Sequence, residues 1–246
     1  MKTFKRIMAT IGKHAWEYFK SSIPAALIYA CAGSILMMLT WKDEKLVWDN
    51  MSIVWTCVCL LAAAAYDALV TYAQGGTGYE NLVSGNIKRR TADEYGDGYR
   101  ISKHKEEKEY RAWKGFAIGG VIAIFPVVFG IIAGAMMGNG SPTMDGTGGW
   151  GVAMFFMLSI FLSGWSLMPF YLMNANGFAV SYYWSCLFGL IPIAVTGAFY
   201  IIGAYARRNK ALREQRIADA QAAAAANKVK KINYGGLPGT KPKKRK

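Results

Sequence analysis

Apolar residues collect into five long runs along the chain, at 23–40, 51–72, 115–137, 152–173 and 182–205. The runs hold 109 residues between them and, leaving Cys and Tyr aside, carry one acid or base, Asp67. A soluble domain has no use for so much uncharged apolar length. A helix crossing the bilayer core needs about 20 such residues. The pattern therefore predicts an all-α, polytopic integral membrane helix bundle with five hydrophobic segments.

The polar stretches between the runs divide the chain. In residues 1–22, Phe4, Ile7, Met8, Ile11, Ala15, Tyr18 and Phe19 recur at helical spacing opposite Lys2, Arg6, Lys13, Glu17 and Lys20. Such a segment reads either as a basic amphipathic helix lying in the interface or as a plain lead-in to the first span. Ala30-Cys31-Ala32 imitates a signal-peptide cleavage site, but the apolar run continues past it to Thr40, so retention as a span is expected. Ser21, Ser22 and Pro24 read as the start of the first span's helix, and Trp41 and Trp48 sit where interfacial aromatics collect. Residues 23–73 then form a two-helix membrane hairpin. Residues 74–114 form a hydrophilic cytoplasmic loop, turn-rich at Gln74-Gly75-Gly76-Thr77-Gly78 and charged and helical from Ile101 to Trp113. Residues 115–205 supply three more hydrophobic segments, and 206–246 a basic helix and tail.

Charge adds the topology. The chain has 29 Lys and Arg against 15 Asp and Glu, and 53% of it is hydrophobic, which excludes a disordered chain. Five full crossings would put 14 Lys and Arg on one side and 15 on the other; four crossings give 27 against 2. Because cytoplasmic segments are enriched in Lys and Arg, four crossings with both termini cytoplasmic are expected, in the plasma (inner) membrane of a bacterium. One apolar segment must then be re-entrant or packed. The choice falls on 152–173, with Ser163-Gly164-Trp165-Ser166 at its middle, Pro169 just beyond, and flanking loops free of Lys and Arg. Re-entrant backbone survives only where protein or a water-filled cavity covers it, so this segment should be packed against other helices.

Candidate chemistry is sparse. Asp67 is the one intramembrane acid or base, a candidate polar site that could pair structurally or serve a transported cation. Gly115, Gly119, Gly130 and Gly134 are spaced to offer one small helix face for close packing. Pro126, Pro169 and Pro192 interrupt spans. His14 and His104 have no metal-ligand spacing around them, the four cysteines read as small apolar residues, and nucleophile-elbow, HExxH and Walker patterns are missing. No cofactor, metal or enzymatic role is expected. The tail, net +11 over residues 207–246, is the most distinctive polar feature, with Lys228, Lys230, Lys231, Lys241, Lys243, Lys244, Arg245 and Lys246 as candidate binding residues. It would meet anionic lipid headgroups, RNA or the ribosome, or a protein partner, or serve only as a topology anchor. Two readings follow. One is an accessory or scaffold subunit of a larger membrane assembly, in contact with lipid bilayer and other membrane subunits. The alternative is a small transporter or channel using Asp67 and Pro/Gly-broken helices.

Overall fold

The computed structural model describes residues 2–42, 45–47, 49–84, 110–137 and 149–233. Helix dominates them: α1 (Lys2–Thr40), α2 (Asn50–Ser84), α3 (Lys114–Met137), α4 (Gly149–Ala175) and α5 (Leu190–Asn233), the last preceded by a 3-10 helix at Tyr182–Gly189. A two-residue antiparallel pair, β1 (Trp41–Lys42) with β2 (Lys45–Leu46), turns the chain between α1 and α2. Five helical stretches are long and apolar enough to cross a membrane. The charged helix expected at 101–113 falls mostly outside the described residues. Met1–Ala204 forms one compact unit and Tyr205–Lys246 a second.

Two helix boundaries differ from those expected. α1 passes straight through Pro24, which forfeits one helical hydrogen bond there. The hydroxyls of Ser21 and Ser22 donate to the carbonyls of Glu17 (2.9 Å) and Phe19 (2.8 Å) within the same helix instead of capping a new one. α2 continues past Tyr72, through Gly75-Gly76-Thr77-Gly78, to Ser84. Glycine in a helix costs about 1 kcal/mol relative to alanine. Packing offsets that cost here, because Gly75 lies against the Tyr200 carbonyl of α5 and Gly78 beside the Tyr200 hydroxyl.

Contacts at the two ends of the first unit establish the course of the chain. At one end, the Tyr18 and Trp113 rings meet at 5.6 Å, the Gln74 amide donates to the Ser21 carbonyl at 3.1 Å, and Tyr110 stacks on Tyr200 at 5.5 Å. At the other, Gly134 of α3 abuts the Tyr183 ring, and Phe129 meets Phe155 at 5.8 Å. So α1 runs from the first end to the second, α2 returns, α3 runs out again, and the last helix returns.

α4 does not fit this alternation. Its helical backbone spans Gly149–Ala175, yet Phe156 and Tyr171 have ring centroids 4.9 Å apart, and the Ser159 and Tyr171 hydroxyls hydrogen bond at 3.0 Å. In a straight helix rising about 1.5 Å per residue, Phe156 and Tyr171 would be about 22 Å apart, too far for two side chains to bridge. The helix therefore turns back on itself, near Ser163–Ser166, midway between the residues that meet. Local chemistry suits a reversal there. The Ser166 hydroxyl donates to the Ser163 carbonyl at 2.9 Å, the two serine hydroxyls bond at 3.0 Å, and Pro169 stands in the first turn of the returning limb, where a missing N–H costs least. Gly164 at the tip crosses Gly33 of α1, where an added Cβ on Gly33 would stand 2.7 Å from the Trp165 nitrogen. The returning limb ends in a Schellman motif. The Phe178 N–H donates to Met173, the Gly177 N–H donates to Asn174, and Gly177 takes φ 89°.

The interior of the first unit combines small and polar residues with large ones such as Tyr29, Trp165, Tyr171 and Leu172, and its surface is large and apolar. Buried positions include Ala25, Ala63, Ala133, Ser52, Ser163, Thr71 and Thr196, while Leu27, Met38, Leu61, Leu69, Ile124, Met154 and Phe161 are exposed. A protein folded in water does not sort its residues this way.

Candidate functional site

Asp67 lies seventeen residues from either end of α2 and is fully buried. Its Oδ2 accepts a hydrogen bond from the hydroxyl of Tyr29, on α1, at 3.3 Å. Extending α2 to Ser84 moves Asp67 to mid-helix, and the partner is a neutral phenol. One turn on, the Thr71 hydroxyl donates back to the Asp67 carbonyl at 2.7 Å. Around the pair stand Ala25, Ala32, Ala63, Ile122 and Trp165, whose ring packs on Tyr29 at 4.6 Å. The tip of the α4 hairpin therefore roofs the α1–α2 polar bond.

Asp67 Oδ1 is buried and has no hydrogen-bond partner among the described residues. A carboxyl group with one long hydrogen bond in apolar surroundings is an expensive arrangement. It ties two helices through a directional bond, and it keeps one acceptor free for a proton or a small cation. Among the described residues the other buried oxygen in this state is Gln74 Oε1, on the side chain whose Nε2 bridges to Ser21.

The four candidate glycines of α3 share one face, turned toward α5 at Gly115 and Gly119 and toward the 3-10 helix before it at Gly130 and Gly134. An added Cβ would stand 2.6 Å from Tyr200 Cβ at Gly115, 2.6 Å from the Pro192 carbonyl at Gly119, 2.9 Å from Cys186 Sγ at Gly130 and 2.7 Å from the Tyr183 ring at Gly134. Thr196, facing Gly119, donates its hydroxyl to the Pro192 carbonyl of the turn below. Other close approaches escaped the sequence, among them Gly33 on Gly164, Gly75 on Tyr200, Gly197 on Phe116 and Gly203 on Tyr72. Tyr29 was missed too, although a phenol amid an otherwise apolar run is a signal that could have drawn attention to it.

The remaining candidates are dispersed. All four cysteines are free thiols, and among the described residues no three His, Cys, Asp or Glu side chains gather as metal ligands. Lys228, Lys230 and Lys231 fall in α5, whereas Lys241, Lys243, Lys244, Arg245, Lys246 and His104 lie outside the described residues. In the second unit, Arg208–Ala226 is helical with every residue exposed, and Lys210 pairs with Glu214 at 4.0 Å.

No family model matches the chain, and no curated protein or solved structure matches it.

Proposed function

We propose that this chain is an accessory or scaffold subunit of a larger membrane assembly. In this reading α1, α2, α3 and the last helix make four crossings of a bacterial plasma membrane with both termini cytoplasmic. The α4 hairpin enters and leaves from the opposite face. Support comes from the alternating course of the helices, the reversal inside α4, the apolar exterior and the Lys/Arg split of 27 to 2. Reversed at its middle, each limb of α4 is only about 20 Å long, too short to cross a hydrocarbon core of about 30 Å.

The observation that carries the subunit reading is the helix Arg208–Ala226, exposed on every side. A helix with no buried face takes its stability from alanine's helix propensity, from ion pairs along its surface or from a partner. Among the described residues this one has one pair, which links it to itself, and it has a strongly basic continuation. Its partners would be other membrane subunits, anionic lipid headgroups, or RNA or the ribosome at the cytoplasmic surface. Copurification from native membranes is the test. A stoichiometric complex, lost on truncation after Arg207, is the expected result; a solitary homo-oligomer would overturn the reading.

A transporter or channel is the second reading, favoured by the free oxygen of Asp67 where the hairpin tip meets α1. Discontinuous helices frame substrate sites in many transporters. Asp67→Asn would then abolish transport while leaving assembly intact.

A further inference from the structure

A cavity of about 150 Å³ runs along one face of α1, beneath the hairpin. Residues 19, 22, 23, 26, 27 and 30 of α1 line it at helical spacing, so it follows the helix axis for about 16 Å. Its floor is buried at Ala30 and Trp165; its rim at Phe19, Leu27 and Phe161 is exposed and apolar. A groove parallel to the spans and open sideways matches the direction of an acyl chain in the same leaflet.

The chain next to the Phe19 end of the groove is basic. Phe19 and Ser22, which line one end of the groove, bracket Lys20 in the sequence, at the end of a segment in which Lys2, Lys5, Arg6, Lys13 and Lys20 stand against Glu17. Lys20 is half-exposed, with its ammonium 5.4 Å above the Trp16 ring and 3.9 Å from Glu17. Basic residues at this level attract acidic lipids, and a packed acyl segment adds hydrophobic free energy with each buried methylene.

We propose that this groove holds one acyl chain of an anionic phospholipid whose headgroup sits by Lys20, as a resident lipid that completes the seam between α1, α3 and the hairpin. This rests on the bilayer placement proposed above and goes beyond it, naming the occupant of a particular site.

The test is native mass spectrometry of the full chain released from nanodiscs of equal phosphatidylglycerol and phosphatidylcholine. The wild type should retain one phosphatidylglycerol. Ala26→Phe, which fills the groove, should lower that occupancy by about tenfold, whereas Leu61→Phe, at an exposed position on α2, should leave it unchanged. Should the Phe variant fail to fold, Ala26→Val should give a smaller loss in the same direction. Lys20→Gln, at a half-exposed site, should retain lipid but lose the preference for phosphatidylglycerol. Wild-type occupancy by Ala26→Phe, or a wild type that incorporates yet carries no lipid, would overturn the resident lipid alone. Failure to incorporate would overturn the bilayer placement with it.

Discussion

α2 and α4 invert the usual relation between hydropathy and burial. α4 has the lowest mean hydropathy of the five stretches, 1.6, and is the most buried, at 72% of its apolar window; α2 reaches 2.0 and is buried over only 17%. Serine, glycine and asparagine explain the first value. Ser159, Ser163, Ser166 and Asn174 are all buried in α4, each in a hydrogen bond within the chain. Met51, Val58, Leu61 and Leu69 explain the second, standing exposed along α2. In water the more apolar helix would be the inner one. In the bilayer setting proposed here lipid solvates leucine as well as protein does, so small and polar faces are what helices bury against each other.

The largest effect should come from the tip of the hairpin. Gly33→Leu places side-chain atoms where the backbone of Gly164 and Trp165 stands. With backbone unable to yield, it should cost more than the about 1–3 kcal/mol usual for overpacking and remove most folded protein. The matched change on α2, Ala65→Leu at an exposed position, should be silent. Size-exclusion profiles in detergent check both; an equal loss from the two would erase the contrast.

Truncation gives the next effect. Leu172→Ala, fully buried in α4, should destabilise by about 3 kcal/mol, and Leu61→Ala, exposed on α2, by well under about 1 kcal/mol. Unfolding equilibria in mixed micelles measure both. The same cost at each site would mean that α2 is covered in the native membrane.

Asp67, with Ser52 and Thr71, is a buried polar residue on the more exposed helix. Asp67→Asn keeps a hydrogen-bonding side chain and removes a costly group, so the protein should remain folded and inserted. Tyr29→Phe should cost about 1 kcal/mol, and combined with Asp67→Ala it should cost less than the sum of those two single changes, because either one alone removes the bond. Additive losses would show that the 3.3 Å contact carries no energy.

The five runs, the last helix continuing beyond residue 205, and Ser163–Ser166 as a break point were all legible in the sequence. Apolar length and a serine-glycine cluster are local signals. What escaped was tertiary. Pro24 looked like a helix start because capping chemistry surrounds it, yet apolar sequence on both sides carries the helix through. Gly75-Gly76-Thr77-Gly78 looked like a loop because glycine is a poor helix former; its use as a surface for Tyr200 is visible only once α5 is in place. Tyr29 and Asp67 stand 38 residues apart, and no periodicity links them.

The tail should show the smallest effect, a null one. Net charge rather than order should govern its binding, so scrambling 229–246 should leave cosedimentation with phosphatidylserine vesicles or RNA unchanged, while Lys/Arg→Gln abolishes it. Binding should fall as salt rises, since charges are screened over about 8 Å at physiological ionic strength. Loss of binding on scrambling, with the native tail holding at high salt, would indicate a sequence-specific docking motif.

The central claim is that α4 reverses, so that both its ends face the same side of the membrane as each other and the opposite side from the termini. With the four native cysteines replaced, single cysteines at Thr147 and Ala179, which flank α4, and at Lys2 and Lys246 can be tested with an impermeant thiol reagent on intact cells. The account predicts labelling at Thr147→Cys and Ala179→Cys, with Lys2→Cys and Lys246→Cys labelled only after lysis. Labelling of one flank of α4 without the other, together with Lys246→Cys reacting in intact cells, would mean that α4 crosses the membrane and would contradict the reversal.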